Sequence, residues 1–470
     1  MGELARRATG LRGLLYNSLA GQAPAYSIAS GAALVMGYAA AAAPLAMLLT
    51  TLAVMAVVYA VFVLARRYPH AASFYEYAAR TLGRGAGFVN GVLYTVLYSA
   101  TLGLGSIAVA FGYLASQGVA ASGGPLVDPA YLAPVVVALA LPPALLGVRP
   151  SIRTEVALTS AEVGILAAFA GLSLAANWGR LSALPLTPSG TFAGSPAAAM
   201  AAIAGGLVFS ITYFMGFEVS TQLAEEASDP RRDAPVGTLA ATLVMGLLYV
   251  LVTYAIVVDL GYSAGSIGSF VEAASSGANP IYGMIGRFLG RAGELLFAAA
   301  VVASVYSCYL ATLNATARMF YGMAREGLMP GFLARTNRFR APANAIYLST
   351  ALAAATAAGS MAAAYLLGAR NPVTVAYDAM QYDYALDSLF YVASLVMVAA
   401  SAFRISTAYG KLASAAGAAL LSVTFYYLVS GPAYLAAFAA PIAAVVAAEA
   451  LLARRGALAG PRPGSSAATP

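Results

Sequence analysis

The chain has 470 residues, 61% of them apolar and 9% charged, against roughly 25% charged in an ordinary soluble protein. Its mean hydropathy of +0.79 leaves too few polar side chains to clothe a water-facing surface. The net charge of +7 sits in short loops between apolar runs, where it orients a membrane protein, and nucleic acid is excluded as a partner.

Apolar runs near 20 residues long, without two-residue alternation, exclude a transmembrane β-barrel and predict an all-α polytopic membrane protein. Twelve transmembrane helices are expected near 20–40, 43–65, 86–115, 130–148, 154–177, 198–226, 236–260, 292–320, 343–367, 384–403, 410–430 and 432–453. An even count puts both termini on one side. With that side cytoplasmic, only Arg180, Arg287, Arg291 and Arg370 of the 25 Lys and Arg residues fall outside. Residues 1–19 are then a cytoplasmic N-terminal segment without a cleavable signal, and the Pro/Gly/Ser-rich residues 454–470 a disordered cytoplasmic tail. "ANPIYGMIGRFLG", in the loop before the eighth span, is expected to form a short helix over the outer face. The single Cys308 excludes a disulfide framework, and the single His70, expected at the surface, leaves little scope for a histidine-based metal site. "GLGSIA" (103–108) matches a dinucleotide-binding glycine pattern, but it lies inside an apolar span with no preceding strand.

Three stretches carry a resemblance to a known family. In "ARRYPHAASFYEYAARTLGRGAGFVNGVLY" (65–94) it rests on Arg67, Tyr68, Pro69, Phe74, Tyr75, Tyr77, Leu82, Gly83, Gly87, Phe88 and Gly91. The others are "GFEVSTQLAEEASDPRRDAP" (216–235) and "LNATARMFYGMAREGLMPGFLARTNRFRAPANA" (313–345). Together the three resemble the amino acid–polyamine–organocation (APC) superfamily of secondary transporters, of the amino acid permease type. Two features depart from its pattern: Ala71 and Ala72 stand where paired glycines are usual, and the first span is poor in glycine. The resemblance implies a LeuT-type fold: a 5+5 inverted repeat over 20–177 and 198–403, two further helices over 410–453, and a discontinuous first and sixth helix.

Such breaks survive in a membrane only where freed backbone groups face protein, water or ligand. In the first span "SIASGAA" (27–33) is the expected interruption, with Ile28, Ala29, Ser30, Gly31 and Ala32 at the substrate. Free N–H groups near Ser30, Gly31 and Ala32 suit a carboxylate. In the sixth span the interruption is "TYFMGFE" (212–218), where carbonyls near Thr212 and Tyr213 suit an ammonium and Tyr213, Phe214 and Met215 bound a pocket beside Gly216.

Acidic residues inside spans point to function, since burying their charge costs about 2.5–3.5 kcal/mol or more. Glu162 lies about 15 Å into the fifth span, at 1.5 Å per residue. Three roles stay open for it: a proton carrier, a partner of Ser304 or Ser307 in holding Na⁺, or a carboxylate hydrogen-bonded to the preceding turn or a neighbouring hydroxyl. Glu218 is expected either to cap the half-helix after the break or to gate. Glu225 and Glu226 are expected near Arg231 and Arg232, as a solvated or gate-closing cluster. Asp383 and Asp387 are expected in an acidic outer vestibule, which would favour cationic substrates.

The leading expectation is a secondary active transporter that moves amino acids across the cytoplasmic membrane by alternating access, or exchanges them. Its partners are the substrate and the lipid bilayer, no cofactor is implied, and the coupling ion is H⁺ or Na⁺. Transport of polyamines or arginine is the alternative, and a substrate sensor built on the same fold a remote one. No oligomeric state follows from the sequence. No H-E-x-x-H or G-x-S-x-G pattern supports an intramembrane enzyme.

Overall fold

A computed structural model describes residues 3–429, 432–454 and 458. The expected tail, 454–470, falls almost wholly outside them. Every described element is helical. The helices are α1 (Leu11–Gln22), α2 (Pro24–Ala39), α3 (Ala43–Arg67), α4 (Ser73–Thr81), α5 (Arg84–Val92) and α6 (Leu104–Ala121), the last joined to α5 by a π-helical stretch, Leu93–Gly103. There follow α7 (Pro129–Leu145), α8 (Val148–Ala176), α9 (Pro196–Ser210), the single turn α10 (Val219–Gln222), α11 (Asp233–Asp259) and α12 (Ala264–Ser275). The chain closes with α13 (Pro280–Arg325), α14 (Ala343–Leu366), α15 (Pro372–Ile405), α16 (Ala408–Val429) and α17 (Pro432–Arg454).

Among the described residues nine helical stretches are long and apolar enough to cross a membrane, and Pro129–Leu145 is a shorter apolar helix. One of the nine, Leu11–Arg67, contains α1, α2 and α3. Helices such as α3 and α11 are apolar on both faces because one packs on protein and the other meets lipid. Thus Val252 and Ile256 of α11 are buried, while Leu243 and Leu247 of the same helix are exposed.

Several boundaries differ from expectation. The first helix begins at Leu11, so residues 11–19 belong to it and not to a separate segment. Residues 280–325 are continuous except at Gly290, whose φ of +69° bends the path between the expected loop helix and the eighth span. Helix α15 begins at Pro372, capped by the Asn371 side chain on the Val373 N–H, well before the expected start near 384. Asp383 and Asp387 are therefore about three to four turns into a helix and not at its mouth.

Candidate functional site

Two interruptions meet at the centre of the molecule. Helix α1 stops at Gln22, Ala23 takes a left-handed conformation (φ 46°, ψ 74°), and α2 starts at Pro24. The local cause is Pro24: it lacks an N–H, fits the first position of a helix, and disfavours helical backbone in the residue before it. The expected interruption at 27–33 is thus corrected, because Ile28, Ala29, Ser30, Gly31 and Ala32 all lie within the unbroken α2. The carbonyls that end α1 find side-chain donors: Gln22 O accepts from Ser27 Oγ (2.8 Å) and Tyr249 OH (2.6 Å), and Gly21 O from Cys308 Sγ (3.2 Å). At the start of α2, Tyr26 N–H donates to Ser304 Oγ at 3.1 Å. Ser307 Oγ donates to Ser304 O at 3.0 Å.

The second interruption separates α9 from α10. Helix α9 ends at Ser210 in a tight turn over Ile211–Phe214, and Gly216 has φ +90°. The two breaks touch: a Cβ on Gly216 would stand 2.6 Å from Gly21 O, and one on Gly21 2.4 Å from Gly216 O. Only glycine at both positions permits this approach, and Gly216 also needs the left-handed backbone. Thr212, Met215 and Gly216 face the space between the breaks, whereas Tyr213 and Phe214 pack behind it, edge-on to Tyr249 at 5.0 and 5.5 Å. Gly31 sits against the Tyr213 ring.

Between the breaks lies a small cavity, of about 40 Å³. Ser27 and Ser30 of α2 line it, with Tyr98 and Gly103 of the π-helical stretch, Cys308 and Thr312 of α13, and Tyr384 and Asp387 of α15. Among the described residues no Lys, Arg or His lines it. Asp387 is 4% exposed and its Oδ1 has no hydrogen-bond partner. Asp383, one turn earlier, is buried beside Ser360 and does not line the cavity. The expected outer acidic vestibule is therefore replaced by one carboxylate inside the cavity and one beside it. Tyr26 OH and Tyr384 OH are 2.5 Å apart across the cavity wall.

Glu218 is fully buried and makes no capping hydrogen bond. It accepts from Tyr94 OH at 2.5 Å and Tyr391 OH at 2.8 Å instead, so the capping expectation is corrected. Glu162 is 1% exposed and lies against the Ala25 N–H and the Ser304 and Ser307 hydroxyls, but neither of its oxygens completes a hydrogen bond. It thus stands at the N-terminus of α2, where a helix favours negative charge.

On the face that carries the N-terminus, α1 and the segment after α10 are tied to α13. Glu226 binds Arg318 through both oxygens with both side chains buried, and Arg318 also donates to Asn314 O at 2.9 Å. Glu225 pairs with Arg325 and lies 3.7 Å from His70. The expected partners Arg231 and Arg232 are exposed, and His70 is half-buried in this network rather than at the surface. Burial opposes the charge on Glu225, yet His70, Arg325 and the Ala71 N–H hold its carboxyl below the ordinary range.

Sequence reasoning missed Gly21, Gln22, Ala23, Tyr26, Tyr98 and Tyr384. Pro24 was the available signal for the first three. The tyrosines had none stronger than being polar-tipped in apolar spans.

A profile of the family described as amino acid permease matches residues 14–453. The chain belongs to the amino acid permease family. It is 29% identical to the vacuolar cationic amino acid transporter 4 of Arabidopsis thaliana, over 63% of this chain and 48% of that protein. It is 26% identical to a probable GABA permease of Pseudomonas aeruginosa, over 60% of this chain and 58% of that one. The chain spans less than two thirds of the length of these relatives. Among solved structures it resembles the Eremococcus coleocola manganese transporter (TM-score 0.57, 15% identity, 96% of both chains). It also resembles MhsT in complex with L-phenylalanine (TM-score 0.56, 14% identity, 90% of this chain and 98% of that one). These likenesses show the LeuT-type fold alone. The family is one of transporters and not of enzymes.

Proposed function

We propose that this permease moves amino acids across the cytoplasmic membrane by alternating access, with proton coupling favoured over sodium. In this reading twelve spans form a 5+5 inverted repeat plus two helices, and both termini are cytoplasmic. The observation that carries it is the meeting of two helix breaks, at Ala23 and at Gly216, on one cavity. A broken helix in a membrane is retained where protein, water or ligand completes its ends. The N-terminus of α2 suits the substrate carboxylate and the carbonyl end of α1 its ammonium.

Glu162 supplies the coupling. It occupies the N-terminus of α2, beside Ala25. Charged, it repels an incoming carboxylate; protonated, it does not, so proton and substrate enter together. A serine pair with one carboxylate also suits Na⁺, and Ser304 and Ser307 would be its ligands in that case. A specific observation favours a cationic substrate: Asp387 offers an unpaired oxygen to a cavity that, among the described residues, no basic side chain lines. Relatives named as cationic amino acid transporters agree with that reading.

Uptake into proteoliposomes tests both statements, with a pH gradient or a Na⁺ gradient imposed and neutral or cationic amino acids offered. The expected result is saturable, pH-driven accumulation. Glu162→Gln should reduce it more than counterflow, and Asp387→Asn should reduce cationic more than neutral uptake. Downhill, non-saturating flux would sink the transporter reading, and Na⁺-driven uptake at equal pH would sink the proton one.

A further inference from the structure

The π-helical stretch Leu93–Gly103 gives the cavity a wall that a regular α-helix would not. In an α-helix, residues five apart stand about 140° from one another. In a π-helix the backbone bond closes at i→i+5, as from Leu104 N–H to Ser99 O, and such residues share a face. Tyr98 and Gly103 are five apart, and both line the cavity. Thr101 Oγ1 holds the register, donating to Val96 O at 3.0 Å and to Leu97 O at 2.7 Å. Ser106 Oγ donates to Gly103 O at 3.0 Å.

Gly103 lies against Asp387 of α15. A Cβ on Gly103 would stand 3.9 Å from Asp387 Oδ1, the oxygen without a hydrogen-bond partner, and 3.2 Å from Tyr98 O. The first is van der Waals contact with an atom that needs a donor, and the second a squeeze against backbone. Tyr98 is itself held between the rings of Tyr94 (5.1 Å) and Tyr391 (4.7 Å), whose hydroxyls both donate to Glu218. The charged groups near Asp387 are Asp383 and Glu218, both acidic. The cavity of about 40 Å³ has room for about three waters, and a methyl group would take a large part of it.

We propose that Gly103 is a specificity-determining residue, leaving open beside Asp387 a subsite for the ammonium head of a cationic amino acid. The proposal rests on the reading of Asp387 as the partner of a cationic substrate. An ammonium is compact and carries three donors, so it fits a small space against one carboxylate oxygen. A methyl group on Gly103 occupies that space, offers no donor and strips water from the carboxylate. A neutral amino acid makes no use of Oδ1, so its uptake is set by the rest of the site.

The test is competition between labelled lysine and labelled leucine for uptake into proteoliposomes, read as the ratio of their kcat/KM values. Gly103→Ala should lower the lysine-to-leucine ratio about tenfold or more, through the KM for lysine, with the kcat for leucine kept. Asp387→Glu keeps the charge but pushes a methylene into the same space, and should lower the ratio likewise. In an Asp387→Asn background, Gly103→Ala should change the ratio no further. If Asp387→Asn lowers the ratio while Gly103→Ala and Asp387→Glu match wild type, the assignment of Gly103 is overturned and the role of Asp387 stands. If Asp387→Asn keeps the wild-type ratio, the cationic reading falls and this proposal with it. If Gly103→Ala takes up neither amino acid, Asp387→Glu decides, and a wild-type ratio there overturns the subsite. Loss of leucine uptake in both variants assigns the two residues to packing and overturns the role in specificity.

Discussion

Gly216→Ala strikes the contact on which the two half-sites depend. Its new Cβ would lie 2.6 Å from Gly21 O and 2.8 Å from Gly21 C, atoms of a backbone that no rotamer change can move. The φ of +90° adds a penalty of about 1–2 kcal/mol for an L side chain. Overpacking adds about 1–3 kcal/mol, for a total of about 2–5 kcal/mol. At about 1.4 kcal/mol per factor of ten, that corresponds to roughly 30-fold to several thousand-fold against the arrangement in which α1 touches Gly216. Swinging α1 away relieves the clash, so the population shifts toward states with α1 displaced. Cys308, the only cysteine, reports this directly because it is buried with Sγ on Gly21 O. Maleimide should label it much faster in Gly216→Ala, and the melting temperature should fall. Gly171→Ala is the control: nothing lies within 4 Å of its Cβ, in regular helix. Wild-type labelling and melting in Gly216→Ala would refute the contact as the organising feature.

Removing the hydroxyls that hold Glu218, by Tyr94→Phe or Tyr391→Phe, should cost about 0.5–3 kcal/mol each. The double variant should melt lowest, and melting equal to wild type in all three would count against the network. Arg318→Met or Glu226→Gln alone leaves a buried charge without its partner and should cost about 3–5 kcal/mol. The double variant should recover much of that in a thermal melt, whereas additive losses would exclude coupling of the pair. For Glu225 the sign follows from its depressed carboxyl. Its contribution is complete above the ordinary carboxylate range and is lost as pH falls through the lower folded value. Glu225→Gln should therefore melt below wild type near neutral pH and converge with it in acid; a gap that widened on acidification would refute this.

Class and family were legible in the chain alone. Too few polar side chains exist to face water, and the resemblance lay in short stretches whose order along the chain survives any packing. Glycine inside an apolar run acts on its own few residues, and Gly216, with φ +90°, lies in the second break. The first break shows where local reading fails. "SIASGAA" looks weaker than "GQAPAY", yet Gly31 serves to seat Tyr213, while Pro24 stops the helix. Only the tertiary structure decides which distant groups meet. Glu218 finds hydroxyls 124 and 173 residues away, and Glu226 its arginine 92 residues away. Asp387 became a cavity residue because α15 begins at Pro372 and carries it deep into the bundle. Composition and propensity act over a few residues and set solvent, helix and hinge. Burial and hydrogen-bond partnership arise only when helices far apart in sequence are packed side by side.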